Sequence, residues 1–215
     1  MTRIILVRHG QTAWNRAERF RGHSDVPLNG TGSSQAHAAA RRIVSTWKVD
    51  AVYTSPLRRA LDTAQAIAQR CGLTAQPCDG LIDINFGEWQ GLTADEVAAT
   101  YPEQLHLWRT APQRLRIPGG ESIARVRRRS THAVHELALA HPGGTILLVS
   151  HQVVCKVLVL AMLGLSAAHF WDIQQETTAI NVFEYVDGGH EGDPRTGRYI
   201  TRQINDTCHL REGSL

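Results

Sequence analysis

The stretch Arg3-Ile4-Ile5-Leu6-Val7, followed directly by Arg8-His9-Gly10, decides the fold. A short apolar run that is rich in β-branched residues and bounded by a charged loop is typical of a strand buried on both faces of a parallel sheet. Residues 145–149 repeat this pattern and lead into Ser150-His151. The sequence therefore predicts two buried strands, each of which delivers a histidine to its carboxyl end.

Helices and further strands are predicted along the rest of the chain. Residues 31–47 are rich in alanine with a polar face and predict a helix, and residues 51–54 predict a second strand. Further helices are predicted over 57–70, 93–101, around 105–108, 122–140 and 152–163. This order predicts one domain over residues 1–215 of class α/β, with three α/β/α layers: a mostly parallel sheet with helices on both faces.

The C-terminal part changes character. Ile180–Val186 alternates in polarity, a loop rich in Gly, Asp, Pro and Arg follows, and residues 199–204 are again extended. The pattern predicts a β-hairpin with a long tip. An alternating strand of this kind offers an edge for pairing, so a homodimer is one expectation for the assembly.

Composition excludes several classes of protein. The 215 residues include 23 Lys and Arg against 20 Asp and Glu, and 42% are hydrophobic, which is enough for one sizeable core and argues against disorder. The apolar runs fall short of the ~20 residues that a membrane span needs. Met1 leads directly into a strand-like segment without a secretory pattern, so a cytoplasmic location is expected, with no membrane partner. The four cysteines form no C-x-x-C pair.

Charged and titratable residues cluster at the predicted strand ends. Arg8 and His9 follow the first strand, His151 follows the strand at 145–149, and Arg59 follows the strand at 51–54. Open α/β sheets bind ligands beyond the carboxyl ends of their strands. Because guanidinium groups and helix N-termini suit phosphate oxygens, these residues predict an anion site, although each one alone is more often a structural or surface residue.

Five motifs occur in order along residues 3–151. They are Leu6-Val-Arg-His-Gly-Gln-Thr-Ala-Trp-Asn15, Thr54-Ser-Pro-Leu-x-Arg59-Ala-x-x-Thr-Ala64, Phe86-Gly-Glu-Trp-x-Gly91, Gly119-Gly-Glu-Ser122 and Val149-Ser-His151. An Arg-His-Gly triplet alone is a weak signal. The whole set resembles the histidine phosphatase superfamily, which includes the cofactor-dependent phosphoglycerate mutases, and implies a phosphoglycerate mutase-like fold.

The resemblance implies a role for each matching residue. His9 would be the nucleophile that becomes a phosphohistidine, and Arg8, Arg59 and His151 would bind the transferred phosphoryl group. Asn15 would add a hydrogen-bond donor from the loop. None of these steps requires a metal or a cofactor, and no carboxylates are spaced like a metal-binding cluster.

Asp83 falls where the family keeps its proton donor, which is usually a glutamate. A free aspartate is ionised at neutral pH, so the acid role would require burial beside Ile82, Ile84 or Phe86, or a nearby dianion. The same carboxylate would then activate water against the phosphohistidine.

The segment between Gly91 and Gly119 bears on the reaction. It has room for one capped helix and a second short one, whereas the mutases carry a longer insertion that helps to enclose their bisphosphate. The shorter insertion favours a phosphatase, in which water reaches the phosphohistidine.

The C-terminal residues 204–210 are similar to the tail of metal-independent phosphoserine phosphatases. By that resemblance His209 would fold back toward the amino-acid end of the substrate. Three positions depart from that group: Phe86 stands in place of a histidine, Gln152 in place of a glycine and Arg21 in place of a glutamine. Arg21 and Gln152 are candidate substrate-binding residues, and Arg21 would suit an acidic substrate.

The leading hypothesis is a metal-independent phosphomonoesterase that acts through a phosphohistidine on a small phosphorylated metabolite such as phosphoserine. The alternatives are a cofactor-dependent phosphoglycerate mutase and an α-ribazole or broad-specificity acid phosphatase. A nucleic-acid-binding module is a different class, suggested by arginines at positions 114, 116, 125, 127, 128 and 129. Four of these fall within five residues of one predicted helix and do not form one stripe, so no nucleic-acid partner is expected.

Overall fold

The structure is a computed structural model, and it describes residues 1–188 and 197–211. Six strands and seven α-helices lie within these residues. The strands are β1 (Thr2–Arg8), β2 (Ala51–Thr54), β3 (Ala75–Pro77), β4 (Thr145–Ser150), β5 (Ile180–Val186) and β6 (Arg198–Asp206). The helices are α1 (Ala13–Arg16), α2 (Gly30–Thr46), α3 (Arg58–Cys71), α4 (Ala94–Thr100), α5 (Pro102–Thr110), α6 (Ile123–Ala140) and α7 (Gln152–Met162).

All six strands form one sheet in the order β3-β2-β4-β1-β5-β6. The first four of these pair in parallel, and β5 and β6 add to one side in antiparallel fashion. In the β1–β4 pair Arg8 lies opposite Ser150, so the residues that follow, His9 and His151, leave the sheet at the same level. The predicted mostly parallel sheet is confirmed.

Helices cover both faces of the sheet, which confirms the three-layer architecture. Successive side chains of a strand point to opposite faces. In β1, Ile5 and Val7 pack in one cluster with α2 and α3, whereas Ile4 and Leu6 pack in the other with α6 and α7. All four are fully buried. None of the helices within the described residues is both long enough and apolar enough to cross a membrane.

Local capping signals set the helix ends where the sequence predicts them. Thr93 and Glu96 form the reciprocal capping box at the start of α4. Ser122 caps α6 by accepting a hydrogen bond from the Arg125 N–H. Gly72 ends α3 in the left-handed conformation, at φ 68°.

One expectation about the sheet is corrected, and one strand was not predicted. The alternating strand β5 is not an edge: it lies between β1 and β6 and is buried along almost its whole length. Its polar side chains are paired, Asn181 with Gln175 and Glu184 with Arg3 and Arg202. The edge on that side is β6. The sequence also gives no sign of β3, a three-residue strand that ends at Pro77. The tip of the predicted hairpin, at residues 189–196, lies outside the described residues.

Candidate active site

The two strand-end histidines lie side by side. His9 and His151 follow the neighbouring strands β1 and β4, and their ring centroids are 5.1 Å apart with an interplanar angle of 58°. Both side chains are completely buried. The parallel register of the two strands therefore creates this pair.

The backbone fixes the tautomer of His9. Its Nδ1 lies 2.6 Å from the carbonyl oxygen of Gly10. Because a carbonyl oxygen only accepts, Nδ1 carries the proton and donates it, and Nε2 keeps its lone pair. Burial, followed by the charges of Arg59 and Arg8, lowers the pKa of His9 well below its usual value. Within the described residues Nε2 is buried without a hydrogen-bond partner, so His9 is a neutral imidazole with an unused lone pair.

His151 takes the opposite tautomer. Its Nδ1 accepts a hydrogen bond of 3.1 Å from Nε of Arg59, so its proton is on Nε2, which donates to Oγ of Ser55 at 2.7 Å. Burial, followed by the charge of Arg59, lowers the pKa of His151 well below its usual value. His151 is therefore neutral and presents an N–H group as a donor.

Arg59, in the first turn of α3, ties the site together. Its side chain is fully buried and donates to four partners: Nδ1 of His151, the carbonyl oxygens of Gly22 and Ser24 at 2.8 Å each, and Oδ2 of Asp83 at 3.0 Å. A buried charge needs such a set of partners to offset the loss of hydration.

Two further arginines supply unused donors. Arg8 donates to the carbonyl oxygen of Gln175, but its Nε is buried and has no partner among the described residues. Burial, followed by the charge of Arg21, lowers the pKa of Arg8 to about 10. Nε of Arg21 is likewise buried and without a partner in the part of the chain that the structure describes. Unsatisfied buried donors are costly, so this pair favours an anionic ligand.

Asp83 is nearly fully buried beside this cluster. Its Oδ1 accepts from the N–H of Ile84 at 3.0 Å, and its Oδ2 is paired with Arg59. The backbone of Asp83 is held as well, because its carbonyl oxygen lies 2.9 Å from Nε2 of His23 and accepts from Nη2 of Arg129 at 2.9 Å. The structure thus places the predicted proton donor next to His151, whose Nδ1 lies 3.7 Å from Oδ2 of Asp83.

Arg129 is a supporting residue that the sequence interpretation missed. It forms a two-pronged ion pair with Glu121, at 3.1 Å and 2.9 Å, and donates to the carbonyl oxygens of Gly80 and Ile82. Burial raises the pKa of Glu121, but hydrogen bonds from Arg129 and from the N–H of Asn85 outweigh that effect and lower it. Arg129 is therefore not part of a solvated basic surface. Glu121 precedes the Ser122 cap of α6, so helical spacing in the sequence gives no signal for this contact.

A cavity of about 610 Å³ lies at this edge of the sheet. It is bordered by five predicted site residues: Arg8, Asn15, Arg21, Asp83 and Gln152. Oδ1 of Asn15 accepts from the N–H and the hydroxyl of Thr12, which leaves its NH₂ group to bind a ligand.

The structure does not bring His209 to this cavity. The residue is buried and borders a different pocket, beside Arg41 and Arg42 of α2, and its Nε2 lies 3.2 Å from Oγ1 of Thr178. Thr178 has a φ of 56°, which is unusual for a β-branched residue, and its N–H donates to the carbonyl oxygen of Arg8 at 3.0 Å. His209 thus packs behind the site residues.

Gly10 explains why the motif needs a glycine after the histidine. A Cβ at this position would lie 2.5 Å from the carbonyl oxygen of Gly32, in the first turn of α2. The loop after β1 and the start of α2 therefore approach each other as bare backbone, which holds His9 close to the sheet.

Comparisons with known proteins agree with this geometry. The family model described as "Histidine phosphatase superfamily (branch 1)" matches residues 4–193. "Phosphoserine phosphatase 1" of Hydrogenobacter thermophilus is 32% identical over 212 residues, covering 99% of this chain and 96% of that protein. "Phosphoglycerate mutase-like protein 4" of Arabidopsis thaliana is 36% identical over 211 residues, covering 97% and 87%.

A solved structure shares the fold over the whole chain. Phosphoserine phosphatase from Entamoeba histolytica, in complex with 3-phosphoglyceric acid, superposes with a TM-score of 0.81 at 29% sequence identity, covering 98% of this chain and 100% of that one. The strand-end histidines and arginines, the family model and these relatives lead to one conclusion: the chain belongs to branch 1 of the histidine phosphatase superfamily and is a phosphatase of that family.

Proposed function

We propose that this protein hydrolyses small phosphomonoesters without a metal ion, through a phosphohistidine on Nε2 of His9. One observation carries the proposal: Nε2 of His9 is buried, unprotonated and without a hydrogen-bond partner among the described residues, while Arg8, Arg21 and Arg59 lie around it. A neutral nucleophile surrounded by guanidinium groups suits attack on a phosphoryl dianion.

In the first step the lone pair of His9 forms a bond to phosphorus as the ester P–O bond breaks. Arg8 and Arg59 stabilise the charge on the phosphoryl oxygens, and the Nε2–H of His151 exchanges Oγ of Ser55 for a phosphoryl oxygen. The phosphoryl dianion of the substrate competes with Asp83 for the hydrogen-bond donors of Arg59. Asp83 in its protonated form then delivers the proton to the leaving alkoxide. In the second step Asp83 takes a proton from water, which attacks phosphorus and breaks the bond to His9.

The segment between Gly91 and Gly119 favours hydrolysis of the phosphohistidine by water over transfer of the phosphoryl group back to the substrate, as in a mutase. Its two helices, α4 and α5, are only seven and nine residues long. A mutase needs to hold its substrate against water until the phosphoryl group is returned, and this short segment supports the hydrolytic alternative.

Phosphoserine is the first substrate to test. The relative from Hydrogenobacter thermophilus bears the name of a phosphoserine phosphatase, and the enzyme from Entamoeba histolytica binds 3-phosphoglyceric acid, another small acidic phosphomonoester. Arg21, and Asn15 and Gln152 beside it, would bind the organic part of such a substrate. We propose that His209 acts indirectly, through Thr178 and the backbone of Arg8.

We further propose a single domain that works in the cytoplasm. The two hydrophobic clusters share one sheet, which supports one domain over residues 1–215. All four cysteines are free, which fits a reducing compartment.

The decisive experiment combines turnover with labelling. Purified protein is assayed for phosphate release from phosphoserine, 3-phosphoglycerate and α-ribazole phosphate in the presence of EDTA, and a rapidly quenched mixture is analysed by mass spectrometry for phosphohistidine. We expect phosphate release, a label on His9 and complete loss of both in His9→Ala. The matched control is His132→Ala, because His132 is exposed on α6. Loss of activity with EDTA, or a label on another residue, would refute the proposal.

A further inference from the structure

One wall of the cavity is aromatic. Phe20, Phe86, Trp108 and Trp171 border it, and they contact each other in series. The ring centroids of Phe20 and Phe86 are 5.0 Å apart, those of Phe86 and Trp108 are 5.4 Å apart, and those of Trp108 and Trp171 are 5.4 Å apart. Nothing in the phosphoryl-transfer steps uses these rings.

Trp171 is the exposed end of this wall. Its relative exposure is 43%, the largest among the tryptophans and phenylalanines of the cavity. A large apolar side chain left in water at the border of a cavity is informative, because burial is its usual state. The exposed surface of Trp171 is therefore available to a ligand in the cavity.

The protein holds this exposed ring in one orientation. Its Nε1 donates to the carbonyl oxygen of Trp108 at 2.7 Å, and its edge packs against Phe170 at an interplanar angle of 90°. Nζ of Lys156 lies 4.4 Å from the ring centroid. A ligand that stacks on Trp171 thus meets a ring whose rotational freedom is already lost, which reduces the entropic cost of binding.

Charge narrows the kind of group that binds there. The buried ammonium of Lys156 already draws on the π electrons of Trp171, and Arg19 and Arg21 also border the cavity. Glu18, Asp83 and Glu176 also border the cavity and offset its arginines. The cation that lies over the ring itself is Lys156, so the ring of Trp171 favours an uncharged group over a second cation. The cavity, at about 610 Å³, is also larger than phosphoserine requires.

We propose that Trp171, held by Lys156 and Trp108, is a stacking platform for an uncharged ring in the organic part of the phosphomonoester. This inference rests on the proposed function and refines it, since it names the substrate class: esters whose alcohol carries an aryl group or a saturated ring with an apolar face. Ring stacking of this kind contributes about 0.5–1.5 kcal/mol between aromatic groups, which corresponds to roughly 2- to 12-fold in affinity.

The test compares two primary alkyl phosphates of similar leaving ability, benzyl phosphate and ethyl phosphate. We expect wild-type kcat/KM to favour the benzyl ester, and Trp171→Leu to lower the benzyl-to-ethyl ratio by about 3- to 10-fold. Trp171→Phe should restore most of the ratio, and Lys156→Met should lower it in part. Trp47→Leu, the same change at a partly buried tryptophan that follows α2, is the matched control and should leave the ratio unchanged.

Cyclohexylmethyl phosphate separates the two ring chemistries. If Trp171→Leu also lowers the ratio of kcat/KM for the cyclohexylmethyl ester to that for ethyl phosphate, the face of a saturated ring is sufficient for binding. If Trp171→Leu lowers only the benzyl-to-ethyl ratio, the substrate class is restricted to aryl esters. A benzyl-to-ethyl ratio that Trp171→Leu leaves unchanged would overturn the inference while leaving hydrolysis through His9 intact.

A binding measurement keeps the inference testable if the wild-type protein hydrolyses none of these esters. The proposed function is then judged by the assay with phosphoserine, 3-phosphoglycerate and α-ribazole phosphate, and calorimetric titration with benzylphosphonate and ethylphosphonate decides whether Trp171 binds a ring. Tighter binding of the benzyl compound that is lost in Trp171→Leu supports it, and equal binding of the two compounds overturns it.

Discussion

Replacing Arg129 by methionine tests whether the hydrogen bonds of this side chain fix the backbone around Asp83. Arg129 donates two hydrogen bonds to Glu121 and one each to the carbonyl oxygens of Gly80, Ile82 and Asp83. Methionine keeps the apolar stem but removes all five. Breaking a buried ion pair costs about 3–5 kcal/mol, and the 21% exposure of the Arg129 side chain lets water replace part of that, so we expect a loss of about 2–4 kcal/mol.

The assay is urea unfolding, combined with turnover of a phosphomonoester. With a slope of about 2 kcal/mol per molar urea, the expected loss lowers the midpoint by about 1–2 M. Activity should fall as well, at urea concentrations where the variant is still folded, because Asp83 is no longer fixed beside the histidines.

Arg128→Met is the matched control, because Arg128 is the preceding residue of α6 and is exposed to solvent. We expect it to change the free energy of unfolding by less than about 0.5 kcal/mol. The double variant with Glu121→Gln should show a coupling of roughly 1–3 kcal/mol between the two sites. Equal midpoints for the two methionine variants would refute the supporting role of Arg129.

Three further predictions follow from the same geometry. Asp83→Asn should slow esters with poor leaving groups more than activated aryl phosphates, and equal slowing of both would remove Asp83 from the proton-donor role. Burial lowers the pKa of His9 and His151, so below about pH 6.5 the unfolded chain takes up protons that the folded chain does not. The free energy of unfolding should therefore fall with decreasing pH, by up to about 1.4 kcal/mol per pH unit for each histidine. His9→Asn should remove one such contribution, which is measured as a shallower slope of the urea midpoint against pH. Gly10→Ala should destabilise the fold by about 1–3 kcal/mol in thermal unfolding, because the new methyl group clashes with the start of α2. Gly30→Ala, with open space around the new methyl group, should not destabilise it. Similar melting temperatures for the two variants would contradict the close packing at Gly10.

The positions of the site residues that follow strands were predictable from the sequence, because the end of a buried strand places the next residue at the carboxyl edge of the sheet. The pairing of His9 and His151 needs only two parallel buried strands in register, and both strands have strong apolar patterns. Arg59 was placed by the same logic, in the first turn of the helix after β2. Motif order along the chain then identified the family.

Contacts between distant segments were not predictable in this way. Arg129 looked like one of four surface arginines, since its partners at residues 80–83 are brought to it only by the tertiary fold. The alternation of β5 suggested a half-exposed strand, because the pattern does not show that β6 lies beside it or that Glu184 is paired with Arg3 and Arg202. His209 was expected at the substrate, but the turn that follows β6 places it against Thr178.

Arg59 has a consequence for how the site opens. One guanidinium joins three stretches of chain that are far apart in sequence: the loop at Gly22 and Ser24, the segment at Asp83, and the strand end at His151. Withdrawing any one of these would leave part of a buried guanidinium without its hydrogen-bond partners, so their fluctuations are energetically linked. Amide hydrogens of the three stretches should consequently exchange with solvent in a single concerted event, and the phosphate-binding apparatus would be either wholly assembled or wholly lost.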